Sequence, residues 1–135
     1  MTALYLLDTN VCIGLLRGRA PKTAAKLQAV PRAEVALCSV VIYELHLGTE
    51  KCSQPATESA KVRAFINPFT SLPFDDECAR LCAKIRAELE KAGTPIGPYD
   101  YQIAAIGQHH GLTVVTSNVS EFARVHGLKV EDWES

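Results

Sequence analysis

No stretch of this chain is apolar for long enough to span a bilayer, which takes about 20 residues, and its five cysteines form no CxxC pair. The first absence argues against a transmembrane helix. The second, with an odd count over Cys12, Cys38, Cys52, Cys78 and Cys82, argues against a disulfide framework or a redox pair. Several of these thiols sit inside apolar runs, where a free cysteine packs as a small hydrophobe. The opening MTALYLLDTN lacks a basic lead and meets an aspartate too soon for a secretory signal. Together these absences predict a reduced, cytoplasmic setting with no membrane partner. Neither GxxxxGK(S/T) nor GxGxxG occurs, so a nucleotide cofactor has no support. HExxH is missing as well. His109-His110 stands before Gly111 at the end of a predicted helix, where a cationic side chain suits the dipole. No Cys/His spacing around that pair points to zinc. Cys78 and Cys82, four apart on an apolar face, read as core.

What is present fits one domain over residues 1–135, with 47% hydrophobic and 21% charged residues, enough to bury a core without a staple. The net charge of −1 does not announce a polyanionic partner. The local distribution is less even: RGRAPKTAAK carries Arg17, Arg19, Lys22 and Lys26 without one acid, and Arg32 follows. Taken alone, such a run is a solvated helical face.

The short apolar segment 3–7 predicts a buried strand ending at Asp8-Thr9-Asn10, residues suited to cap a helix over 10–17. Gly18 breaks that helix, and Pro21 starts another to about residue 30. A second strand is expected over 35–38, with Ser39 as N-cap of the next helix. A further helix follows Pro55 and ends before Pro68. TSLPF suits only an edge strand, because Pro73 excludes a central one. Asp75 or Asp76 then caps a long amphipathic helix to residue 91, and 92–98 form a loop. A helix over 99–110, a buried strand LTVVT, a short helix SEFARV and a last strand LKV complete the chain. Strands alternating with helices predict an α/β domain with a mainly parallel sheet.

In such sheets ligands bind beyond the carboxyl ends of the strands. Asp8 ends strand one and is therefore well placed for chemistry, although it could also cap the helix that follows. Glu44 sits among apolar neighbours in SVVIYELHLG, where a buried carboxylate needs a partner. It could equally occupy the outer face of an amphipathic helix. Asp100, two residues after Pro98, falls in a first helical turn, where the dipole favours an acid by roughly 0.3–1 kcal/mol. That alone accounts for Asp100. The three together would repel one another unless a divalent cation neutralised them, and hard oxygen ligands suit Mg2+ or Mn2+. The strand LTVVT should deliver a fourth group to the same edge. There the sequence has Thr116, Ser117 and Asn118, with Glu121 the nearest acid. An aspartyl-phosphate hydrolase built on Asp8 would need a second aspartate at position 10, where Asn10 stands.

The segments LLDTNVCIGLL, SVVIYELHLGTEK and RAELEKAGTPIGPYDYQIAAIGQHHGLTVVTSNVSEFARVHGLKVEDW, in this order, resemble the PIN-domain ribonucleases of the VapC toxin type. The resemblance runs from about Leu4 to Trp133. It implies a three-layer α/β/α sandwich and Mg2+- or Mn2+-dependent endonucleolytic cleavage of RNA. It also implies inhibition by a cognate VapB-type antitoxin, and a homodimer or a hetero-oligomer with that antitoxin. Asp8, Glu44 and Asp100 fall on the family's acidic positions, as catalytic residues and metal ligands. Asn118 falls where many PIN domains have a fourth aspartate, and Glu121 either compensates or sits on the surface; Thr9, Asn10, Ser39 and Thr116 are supporting candidates. Relatives sharing the GPxD…VEDW pattern include enzymes that cut tRNA, so structured tRNA is the expected substrate. With RNA in view, Arg17, Arg19, Lys22, Lys26 and Arg86 become candidate phosphate contacts. A PIN-like module that binds RNA or protein without cleaving is the alternative.

Overall fold

The computed structural model describes residues 3–135. Strand β1 (Tyr5–Leu7) passes through the single residue Asp8 into helix α1 (Thr9–Leu16). Asp8 is extended (φ −80°, ψ 172°), and its own carboxylate caps the helix by accepting from Val11 N–H at 2.9 Å. The cap thus falls on the aspartate rather than on Thr9 or Asn10, and the helix starts one residue earlier than expected. Helix α2 (Pro21–Ala29) opens on its proline, and a 3-10 turn at Arg32–Glu34 leads into β2 (Val35–Cys38). Helix α3 (Ser39–Lys51) runs directly out of β2. Ser39 is not its N-cap: the still-extended Cys38 occupies that position without a side-chain bond. The Ser39 hydroxyl instead accepts from Phe74 N–H at 3.1 Å.

Helix α4 (Pro55–Ile66) precedes the short strand β3 (Thr70–Leu72), which stops at Pro73 as expected of an edge. Asp75 caps the long helix α5 (Asp76–Lys91) through Cys78 N–H at 3.0 Å. Helix α6 (Pro98–His109), strand β4 (Thr113–Val115), the single turn α7 (Val119–Phe122) and strand β5 (Lys129–Glu131) follow. Among the described residues, no helix is long and apolar enough to cross a membrane.

The five strands form one all-parallel sheet in the order β3-β2-β1-β4-β5. Every residue of β2 is buried, as is the end of β1 and of β4, so helices cover both faces of the sheet in a three-layer α/β/α arrangement. Helix α6 packs tightly against the sheet. Its residues Ile103 to Gly107 are all buried, and a Cβ on Gly107 would stand 2.9 Å from Val114 Cγ2. The glycine sets that spacing. The buried Tyr101 hydroxyl accepts from Ile96 N–H at 3.1 Å and fixes the loop that leads into α6. The end of the chain folds back: Trp133 packs edge-on against Tyr5. Glu134 caps α2, whose Ala20 cannot, by accepting from Thr23 N–H at 2.9 Å and the Thr23 hydroxyl at 2.8 Å.

Candidate active site

Strand order reverses at β1 and β4, the point where a parallel sheet opens a crevice at its carboxyl edge. Register decides what meets there. Leu7 pairs with Val115, and Val115 with Glu131, so Asp8, Thr116 and Asp132 are the next residues off three neighbouring strands. Backbone bonds continue the ladder one step further, from Asp8 N–H to Val115 carbonyl at 3.0 Å and from Thr116 N–H to Glu131 carbonyl at 2.9 Å.

Asp8 is 3% exposed and both its oxygens are held. Oδ1 accepts from Val11 N–H, and Oδ2 accepts from the hydroxyl of the fully buried Thr116. That hydroxyl in turn accepts from Asn118 N–H at 2.9 Å. Burial pushes the Asp8 carboxyl above its usual range. The bonds from Thr116 and Val11 oppose the rise, and the negative charges of Glu44 and Asp132 add to it.

Glu44, half-buried in α3, accepts from the Thr9 hydroxyl at 2.5 Å. Asp100 sits in the first turn of α6, where Gly97 leaves room for it: a Cβ on that glycine would lie 3.1 Å from Asp100 Oδ2. The Asp100 carboxyl is pushed up from 3.8 to about 6, first by burial. A hydrogen bond shared with Glu121 comes next, then the charges of Glu121, Asp8 and Glu44. Asn118 donates to Glu121 Oε2. The structure therefore brings Asp8, Glu44, Asp100 and Glu121 into one electrostatic neighbourhood, with Thr9, Thr116 and Asn118 orienting them.

Among the described residues, the ion pairs join Lys61 to Glu58, Arg80 to Glu77 and Arg86 to Glu90, and none reaches this cluster. A donor set of carboxylate oxygens with uncompensated charge fits a hard divalent cation and not a soft one. Asp8, Glu44 and Asp100 are the candidates to hold it.

The other expected residues divide. Arg17 and Arg19 line a cavity of about 440 Å³ together with Glu44. Asn10, Arg19, Ser117 and Asp132 share a second cavity of about 150 Å³. Lys22 and Lys26 lie near the chain end instead: the Lys22 backbone N–H donates to Glu134, which also feels the Lys22 charge, and Lys26 Nζ lies 5.8 Å above the Trp133 ring. Arg86 pairs with Glu90 at 3.0 Å and stacks at 5.4 Å over Tyr101. Ser39 braces the start of α5 rather than the carboxylates. Two features were not expected. Asp132 comes within electrostatic reach of Asp8, across Thr116, because β5 runs to Glu131, one residue beyond the expected LKV. The exposed Tyr43 and Tyr99, each preceding a site acid, pack edge-on at 5.5 Å with their hydroxyls 3.1 Å apart.

A family model for the PIN domain matches residues 5–128. The chain is 37% identical over 129 residues to the tRNA(fMet)-specific endonuclease VapC of Salmonella typhimurium, covering 96% of this chain and 97% of that one. It is 33% identical over 129 residues to ribonuclease VapC2 of Haemophilus influenzae, covering 96% and 97%. Among solved structures it resembles DNA-bound VapBC from Salmonella typhimurium, with a TM-score of 0.92, 36% identity, and 98% and 99% of the two chains covered. VapBC2 from Rickettsia felis bound to a promoter DNA fragment superposes with a TM-score of 0.89 at 28% identity, covering 96% and 98%.

Proposed function

We propose, from the premise that this chain belongs to the PIN-domain family as a VapC-type ribonuclease toxin, that it cleaves structured RNA, tRNA foremost, by Mg2+- or Mn2+-dependent hydrolysis. A VapB-type antitoxin holds it inactive. Support for the substrate comes from the tRNA(fMet) specificity of relatives covering nearly the whole chain. The antitoxin reading rests on the toxin–antitoxin complexes among its structural neighbours. The observation that carries the chemistry is the convergence of Asp8, Glu44, Asp100 and Glu121 at the sheet's switch point, with no ion pair to any of them among the described residues.

Asp8 and Asp100 would hold the cation, with Glu44 as a third ligand, direct or through water. When bound, such an ion neutralises the carboxylates, polarises the scissile phosphodiester and makes a nearby water a better nucleophile. The chain does the rest. Thr116 and Val11 fix both oxygens of Asp8, so the ligand is oriented before any substrate arrives. Thr9 holds Glu44, which orients or deprotonates the attacking water. Asn118 supports Glu121, which keeps Asp100 in place. Arg17 and Arg19, on the cavity that Glu44 lines, bind the RNA backbone and contribute little sequence reading.

The test is incubation of purified, antitoxin-free protein with a total tRNA pool. Cleavage should require Mg2+ or Mn2+, stop in excess EDTA, and disappear in Asp8→Asn while that variant still folds and binds antitoxin. Full cleavage by Asp8→Asn in EDTA would exclude the metal-dependent reading. RNA binding without metal-stimulated cleavage by the wild-type chain would identify a binding module instead.

A further inference from the structure

The residues set aside as a helix end and a core thiol meet in space. Cys78 lies in the first turns of α5 and is fully buried, whereas His109 is the last residue of α6 and His110 its C-cap. The Cys78 sulfur and one nitrogen from each imidazole all lie within 4.8 Å of one another. The two rings are 4.9 Å apart and nearly perpendicular, in edge-to-face contact. Both imidazoles are exposed, and the sulfur forms the floor beneath them.

We propose that Cys78, His109 and His110 form a second metal site, for a borderline-soft divalent cation such as Zn2+, where the start of α5 meets the end of α6. The donor set differs in kind from the carboxylate cluster: one sulfur and two nitrogens suit Zn2+ or Co2+, not Mg2+. Tetrahedral coordination at about 2.3 Å to sulfur and about 2.0 Å to nitrogen places donors roughly 3.5 Å apart. Two exposed imidazoles at a helix end reach that spacing by small rotations, without moving the buried sulfur. Three protein ligands leave the fourth position to water. Asp75 fixes the turn that carries the sulfur: its carboxylate accepts from Cys78 N–H at 3.0 Å and feels the charge of both histidines. Its hydrogen bond with the thiol is given up when the thiol ionises to bind the cation. A cation here would tie the far end of α6, the helix that carries Asp100, to the capped start of α5.

Cobalt distinguishes this site from the other one, because only a thiolate ligand gives a sulfur-to-Co2+ charge-transfer band. Titration of the reduced, antitoxin-free protein with Co2+ should produce that band at one equivalent per chain, with tetrahedral visible bands, and Zn2+ should displace it. Asp100→Asn should leave the band intact. His109→Ala and His110→Ala, both surface changes that keep the fold, should each weaken binding by about tenfold or more, and Cys78→Ala should remove the band. A folded wild-type protein that binds Co2+ without the sulfur band would overturn the assignment. So would a band that survives in the His109→Ala/His110→Ala double variant. Neither result bears on RNA cleavage, which rests on other residues.

Discussion

Replacing Asp100 by asparagine should stabilise the metal-free protein while abolishing its activity. Burial, the hydrogen bond to Glu121 and three neighbouring negative charges hold the Asp100 carboxyl at about 6 against an ordinary 3.8. A folded-state value above the unfolded one means that the folded state resists ionisation. Stability is therefore full below about pH 4, falls as pH rises toward about 6, and is flat beyond. At about 1.4 kcal/mol per pH unit the undiminished loss would be about 3 kcal/mol; solvent screening at a half-exposed site brings it to about 1–2 kcal/mol. Asparagine has the shape of the neutral acid and can still donate to Glu121, so it recovers that amount. For a chain of this length the gain corresponds to a melting-point rise of roughly 3–8 °C. The assay is thermal unfolding of both proteins in EDTA at pH 7.5 and pH 4, then with saturating Mn2+ at pH 7.5. The advantage of Asp100→Asn should be largest at pH 7.5 in EDTA, vanish near pH 4, and reverse when Mn2+ stabilises only the wild type. An asparagine variant no more stable than wild type at pH 7.5, or equally ahead at both pH values, would refute the reasoning.

Gly97→Ala keeps an ordinary backbone conformation (φ −62°, ψ 149°) but sets a methyl 3.1 Å from Asp100 Oδ2. Activity should fall several-fold to about tenfold through displacement of that carboxylate, with an unchanged melting point, as single-turnover cleavage and calorimetry would report. Thr116→Val removes a charge-assisted bond to buried Asp8 and leaves Asn118 N–H unpaired. It should lower stability by about 1.5–3 kcal/mol in a denaturant titration at neutral pH and weaken Mn2+ binding measured by calorimetry. Gly107→Ala forces a methyl to 2.9 Å from Val114 Cγ2. Overpacking of about 1–3 kcal/mol should outweigh the helix-propensity gain of about 1 kcal/mol and shift the denaturation midpoint downward.

The parts of the fold visible in the sequence were those set by local pattern and punctuation. The apolar run over 35–38 became β2 with the expected bounds, the helix expected over 99–110 became α6 shifted by one residue onto Pro98, and of the two candidate caps Asp75 took α5. Asp8 and Asp100 were legible because each stands at a strand end or helix start, where local sequence fixes direction. Asp132 was not, since its place depends on the register of β5 against β4, and Lys129 and Glu131 on that edge strand are exposed and carry no inward pattern. The bond between Asp100 and Glu121 was equally hidden. It depends on how a four-residue helix is aimed after β4, and Asn118 offers no side-chain cap to announce it. Cys78 and the two histidines are separated by a whole helix and loop, and only the antiparallel packing of α5 on α6 brings them together.

Capping and ligation are usually weighed as rival explanations of an aspartate at a helix start, yet here one serves the other. Asp8 spends Oδ1 on Val11 N–H and Oδ2 on Thr116, and those two bonds fix the plane of its carboxylate at the edge where strands diverge. Each carboxylate oxygen retains a further lone pair, so a cation can be bound without breaking the cap. Asp100 is held differently. Its helix begins at Pro98 after Gly97, which offers no side-chain cap, and its carboxyl shares a proton-dependent hydrogen bond with Glu121, itself bonded by Asn118. An asparagine suits that post better than a fourth aspartate would, because it donates to Glu121 instead of adding another charge to a cluster that already resists ionisation. One half of the site is therefore set by the sheet register and the other by a single helical turn. The second half should yield first when α7 is perturbed: Asn118→Ala should free Glu121, weaken Mn2+ binding and leave the Asp8 geometry intact.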